Sequence, residues 1–243
     1  MPFDIVFPEN NECDFLLAAK RQGFSEIVFT YDFLKHPDTF AAFAKEIILK
    51  LSLFIESNND KKLPGYKIAF LCPENKIQSV KDHGFLTFFD ISKIYADSRT
   101  FPSARTYQNK RMEQDKIDKD LRRILSSVSL DGLFGLELLL DKKSLHSRNG
   151  GLAEVHAKML AENNILLLEN HSLIFRGAAG SNYFSNVLQN ASLSKKYGFS
   201  MAFFSFAQIP EKMSSFSDIK SFSNLFGLDG TKIISSTDTA MFN

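Results

Sequence analysis

Seven short apolar runs, each hydrophobic on both faces, recur along the chain with helix-period segments between them. The runs occupy residues 3–7, 26–30, 66–71, 86–89, 130–136, 165–168 and 201–205. Their clearest members read Val-Phe, Ile-Leu-Leu-Leu and Met-Ala-Phe-Phe. A strand that is apolar on both sides needs cover on both sides, the condition met in a parallel sheet flanked by helices. Residues 93–96 offer a further short strand.

The intervening segments carry apolar residues at steps of three and four. Helices are expected at 11–22, 38–56, 76–82, 109–127, 151–163, 183–197 and 218–226. In the second of these Phe40, Phe43, Ile47, Leu51 and Phe54 fall on one face. In the first, Phe15, Leu16 and Ala19 do the same. Gly198 and Gly227 stand just past two helix ends, the position that favours a residue without a side chain. No glycine-rich nucleotide fingerprint follows the first strand. A closed or imperfect (β/α) barrel therefore fits better than an open doubly wound sheet. No linker breaks the pattern, so one domain is expected over 1–230, with a polar, Ser/Thr-rich tail at 231–243.

With 243 residues and 44% hydrophobic composition, the chain can bury a substantial core. Net charge is +1, so nucleic-acid binding has to rest on local patches. Cys13 and Cys72 show no Cys-x-x-Cys spacing, and two reduced thiols in a cytoplasmic protein fit them better than a disulfide. The N-terminus lacks a basic, then apolar, leader, and no apolar stretch approaches the roughly 20 residues of a membrane span.

Between Arg99 and Arg123 eight cations face four acids, the largest local excess in the chain. A solvated helix with pairs such as Asp115–Lys119 and Asp118–Arg122 accounts for much of it. Arg99, Arg105, Lys110 and Arg111, with Tyr107 among them, precede or begin that helix and are the better candidates for RNA. The loop 142–151 holds Lys142, Lys143, His146 and Arg148, and no acid follows Asp141. Its Gly150-Gly151 pair opens the next helix, whose free amides favour an anion. Arg176 precedes a flexible Gly-Ala-Ala-Gly turn. Lys196 is a further RNA candidate, although Lys195-Lys196 at a helix end also stabilises the helix dipole without any ligand.

The five histidines never come closer than ten residues, so no His-x-His pair offers a metal ligand set. Glu169, Asn170 and His171 share a strand end, which leaves a site assembled across strands as an alternative. No Gly-x-Ser-x-Gly elbow occurs. Residues 214–218 look instead like a helix start with a capping serine.

Four segments, in order, carry a family resemblance: His-Ser-Arg-Asn-Gly-Gly-Leu at 146–152, residues 155–165, 189–205 and 213–227. Together they resemble protein component three of archaeal ribonuclease P, the relative of the eukaryotic thirty-kilodalton subunit. The likeness is good over 129–228. Earlier in the chain it rests on strand–helix rhythm. It implies a distorted TIM-like (β/α) barrel of the PHP/RNase P subunit type, with no nuclease chemistry of its own. It also implies membership of the ribonucleoprotein that removes 5′ leaders from precursor tRNA. There the RNA subunit cleaves with bound Mg²⁺, and the protein pairs with a Pop5-type subunit and supports the catalytic RNA. No cofactor on the protein, no membrane and a cytoplasmic location are implied. Glu154 stands where many members have histidine, and a serine after Met213 where arginine is common. The rival readings are a metal-dependent phosphoesterase of the related barrel group and an interaction barrel with no RNA role.

Overall fold

The computed structural model describes residues 2–58, 63–92, 107–127, 129–136, 152–175 and 179–228. Seven strands lie in one sheet in chain order: β1 (Phe3–Val6), β2 (Glu26–Asp32), β3 (Gly65–Leu71), β4 (Leu86–Asp90), β5 (Gly132–Phe134), β6 (Leu166–Asn170) and β7 (Met201–Phe204). The strand pairings are parallel, with Phe3 beside Glu26, Glu26 beside Gly65, Ala69 beside Leu86 and Gly132 beside Leu166. Residue Val6 also bridges Ala207, just past β7. The fold is a nearly closed α/β barrel. Among the described residues its helices are α1 (Glu12–Arg21), α2 (Phe40–Ser57), α3 (Ile77–Lys81), α4 (Tyr107–Ser127), α5 (Glu154–Glu162), α6 (Ala179–Tyr197) and α7 (Phe216–Leu225).

The chain groups into two compact units. The first takes residues 1–88, 170–172 and 202–243, and the second takes 89–169 and 173–201. In the first unit β1 is buried at every position. Phe3 packs on Phe204 with ring centres 5.0 Å apart, and Phe7 stacks on Phe206 at 5.5 Å. Tyr31 on β2 turns toward the helices, meeting Phe43 edge-on at 4.9 Å and donating its hydroxyl to Glu12 at 3.0 Å. Glu12 is almost wholly buried, and its second oxygen takes Lys50 Nζ at 2.7 Å. A buried carboxylate is tolerable only when paired and hydrogen-bonded; here one lysine and one phenol meet both oxygens. Burial, and then the negative charge of Glu12, pushes the Tyr31 phenol well above its ordinary range.

Helix α2 buries Phe40, Ala44, Ile47 and Leu51, a stripe at steps of three and four that fixes its contact face. Phe43 and Phe54, expected on that stripe, are half-buried at its margins. The start of α7 is capped as the serine run suggests: Ser215 Oγ accepts Asp218 N–H at 3.1 Å. Gly198 and Gly227 both take positive φ, 78° and 60°. Neither Cys13 nor Cys72 forms a disulfide. No helix among the described residues is long and apolar enough to cross a membrane.

In the second unit the core gathers Ile117, Leu121, Ile124 and Leu125 of α4 with Leu133 of β5, Ala157 and Leu160 of α5, and Leu167 of β6. Strand β5 spans three residues, fewer than the apolar run 130–136 suggests. Leu130 and Leu136 are buried without lying in the strand. Helix α5 starts at Glu154, three residues later than expected, and α6 starts at Ala179, four residues earlier. The short strand expected at 93–96 lies outside the described residues.

Candidate nucleic-acid interface

Helix α5 packs between α4 and α6, and the basic loop of the sequence leads into its first turn. The chain holds that turn in an unusual way. Ala153, at the cap position, has no side-chain acceptor of its own. His156, three residues on, reaches back so that its Nδ1 accepts the Ala153 N–H at 3.1 Å. This is the returning half of a capping box, supplied by imidazole in place of the usual Glu or Gln. Because Nδ1 accepts, the proton of the neutral ring sits on Nε2. That nitrogen lies 3.0 Å from Asp118 Oδ1 on α4, close enough for attraction but off the line of a strong hydrogen bond. Asp118 in turn accepts from Arg122 Nε at 2.8 Å. A bond from Asn163 Nδ2 to the Leu125 carbonyl, 2.9 Å long, ties the other end of α5 to α4.

His156 is 1% exposed. Burial lowers its pKa, and Asp118 opposes that shift only in part. The folded ring therefore releases its proton more readily than the unfolded one. Stability from this group is present above about pH 6.5 and is lost as pH falls through the lowered folded value. A His156→Gln variant, which keeps a cap acceptor, should flatten that acid limb. His156→Ala should also lose the cap, at a cost of about 1 kcal/mol at pH 7.5. Urea midpoints at pH 7.5 and 5.5 check both outcomes; a Gln variant as acid-sensitive as the parent would contradict them.

The opposite edge of α5 meets α6. Lys196 Nζ binds Glu154 Oε1 at 2.8 Å, both groups lying in solvent. Lys196 and the Tyr197 hydroxyl hold the Glu154 carboxyl below its ordinary range, and Glu154 holds Lys196 above its own. Lys196 and Lys158 approach the Tyr197 ring centre at 4.9 and 5.8 Å. Lys196 thus closes α6 as a dipole-stabilising cation and also clamps α6 to the start of α5.

Of the other RNA candidates, Lys110 and Arg111 fall in the first turns of α4. Arg99, Arg105, Lys142, Lys143, His146, Arg148 and Arg176 lie outside the described residues. The anticipated Asp118–Arg122 pair is present at 2.8 Å. The His156 cap was not legible in the sequence. Its cap residue is alanine, its N3 residue is not Glu or Gln, and its carboxylate partner lies 38 positions away.

Strand ends, where barrels of this class carry chemistry, use their polar groups to turn the chain. Asp32 on β2, Asp90 on β4 and Asn170 on β6 each accept the backbone N–H two residues on, from Leu34, Ser92 and Ser172, at 3.1, 3.0 and 2.9 Å. Glu169 and His171 also find separate partners. Glu169 Oε1 accepts Asn190 Nδ2 at 3.1 Å on α6. His171 Nδ1 lies 3.1 Å from Ser214 Oγ, and its ring meets Phe222 edge-on at 4.8 Å. Burial lowers the His171 pKa. Among the described residues no group of three or more His, Cys, Asp and Glu stands where it could hold a metal ion.

No family model matches the sequence, and no curated protein matches it. Solved structures similar in fold include the following two. One is a chain of an archaeal ribonuclease P with mature tRNA, at 15% identity and a TM-score of 0.59, covering 99% of this chain and 93% of that one. The other is histidinol phosphate phosphatase from Lactococcus lactis, in complex with zinc, L-histidinol and phosphate. There the identity is 14% and the TM-score 0.64, covering 93% of this chain and 92% of that one.

Proposed function

We propose that this chain is a protein subunit of ribonuclease P, the ribonucleoprotein that removes the 5′ leader from precursor tRNA. The observation that carries the reading is a fold likeness to a ribonuclease P chain along nearly the whole of both proteins. The ordered motifs at 146–152, 155–165, 189–205 and 213–227 support the same assignment. In this reading the subunit resembles component three, works in the cytoplasm, and supports the catalytic RNA without cleaving. Mg²⁺ bound by that RNA serves the reaction. A Pop5-type protein is the partner, and cations of the loops near 99–111, 142–151 and 176 position phosphates.

A second reading has its own observation. The phosphatase fold matches with the higher TM-score, and its structure holds zinc and phosphate. The two readings separate on where the chemistry resides. Precursor-tRNA cleavage reconstituted from cognate RNA and the other subunits should slow at least about tenfold when this chain is omitted, or need more Mg²⁺. The purified chain alone should leave the substrate intact. An omission that changes neither rate nor Mg²⁺ requirement defeats the subunit reading. Chelator-sensitive release of phosphate by the isolated chain would establish the phosphatase.

A further inference from the structure

We propose that the outward face of α4, α5 and α6 is itself an RNA-backbone surface, additional to the basic loops. The proposal rests on the ribonuclease P reading and names a contact surface for it. The three helices lie side by side within the second unit. Where their side chains are described, α4 carries Lys116, Lys119, Arg122 and Arg123, α5 carries Lys158, and α6 carries Lys195 and Lys196; all seven are exposed. Four acids accompany them: Asp118, Asp120, Glu154 and Glu162. The two aspartates are half-buried, so α4 turns positive charge outward and tucks negative charge against the body.

The contrast with the described residues of the first unit gives this excess its weight. The described residues of the first unit hold ten lysines and arginines against thirteen aspartates and glutamates. Among the described residues, cations are thus concentrated on one set of helices, the footprint a polyanion selects. Three of the four acids on the face are engaged locally, Asp118 with Arg122, Asp120 with Arg123 and Glu154 with Lys196. Solvent-exposed pairs of this kind contribute about 0–1 kcal/mol, so phosphates can take over their cations at little cost. Tyr197, with Lys158 and Lys196 at its ring, adds an aromatic group among the cations, the combination that holds single-stranded or looped RNA.

The test uses the full chain and a mixed-sequence RNA hairpin of about 20 base pairs with a single-stranded loop, titrated at several salt concentrations. Lys119→Gln, Lys158→Gln and Lys195→Gln together should weaken binding by about tenfold and reduce the slope of log affinity against log salt by about 2. Changing the same three to arginine should retain both affinity and slope, which separates lost charge from lost fold. A control triple on the first unit, Lys35→Gln, Lys45→Gln and Lys212→Gln, should leave the slope unchanged. The proposal is overturned by an unchanged slope in the helix-face variant, by equal losses in both glutamine triples, or by no measurable binding of the parent chain. Retained RNA binding by a chain dispensable for precursor-tRNA cleavage would leave this face standing and defeat the subunit reading alone.

Discussion

Replacing Asp4 with asparagine should shift stability in favour of the variant by about 2 kcal/mol between pH 4 and pH 7. Asp4 lies on β1 with no exposed surface. Its carboxylate accepts the backbone N–H groups of Ile5 and Ser205 at 2.9 and 2.8 Å, and the Ser205 hydroxyl at 2.5 Å. These bonds favour the ionised form, yet burial outweighs them and raises the pKa from 3.8 to about 6. The folded chain thus keeps a proton that the unfolded chain has released. The stabilising contribution is fully present below about pH 3.8 and is lost as pH rises through about 6. Asparagine has nothing to ionise. Its carbonyl can still accept the two N–H groups, and Ser205 can rotate to accept from its amide. Any fixed cost of the substitution appears equally at both ends of the range, so the measured quantity is the change in the difference. Denaturant titrations of both proteins at pH 4, 5, 6 and 7 supply it. Parallel curves would show that Asp4 is ionised throughout.

The same carboxylate explains why closure of the barrel was less legible than its strands. Asp4 and Ser205 are 201 residues apart, and neither belongs to a local motif. Phe206 has a positive φ of 47°, rare for a bulky residue, and its N–H donates to the Ile5 carbonyl at 3.0 Å while Phe7 donates to Ala207 at 2.9 Å. Nothing in a Ser-Phe-Ala sequence announces that backbone. By contrast, β1, β2, β3, β4, β6 and β7 were readable because burial on both faces leaves long apolar runs, as the buried patterns of β1 and β7 show. Helices with a cap or a terminal glycine were readable to within a few residues. The exceptions have physical causes. Gly150-Gly151, read as a helix opening, lies outside the described residues; the first turn of α5 begins at Glu154 and is closed by His156. Much of the basic candidate surface falls outside the described residues. Lys196 illustrates the remaining difficulty: from sequence it is a helix-end cation, while in the fold it also holds Glu154.

Gly135→Ala should destabilise the second unit by at least about 3 kcal/mol. Gly135 follows β5 with φ of 85°, a conformation in which a side chain is strained wherever it stands. Space compounds the strain. A Cβ at this position would lie 2.6 Å from Asp90 Oδ1, 3.1 Å from Ser92 Cβ and 3.2 Å from Ser92 N. The carboxylate cannot swing aside freely, because Oδ1 accepts the N–H and hydroxyl of Ser92 at 3.0 and 2.5 Å. Moving it would break the turn that ends β4. Gly84 provides the control: it has a similar φ of 79° but nothing within 4 Å of the added carbon. Gly84→Ala should therefore show the backbone penalty alone, about 1 kcal/mol. Thermal and urea denaturation of the two variants separate clash from strain. If Gly135→Ala is no worse than Gly84→Ala, Asp90 yields to the new methyl, and its bonds to Ser92 are not what fixes the end of β4.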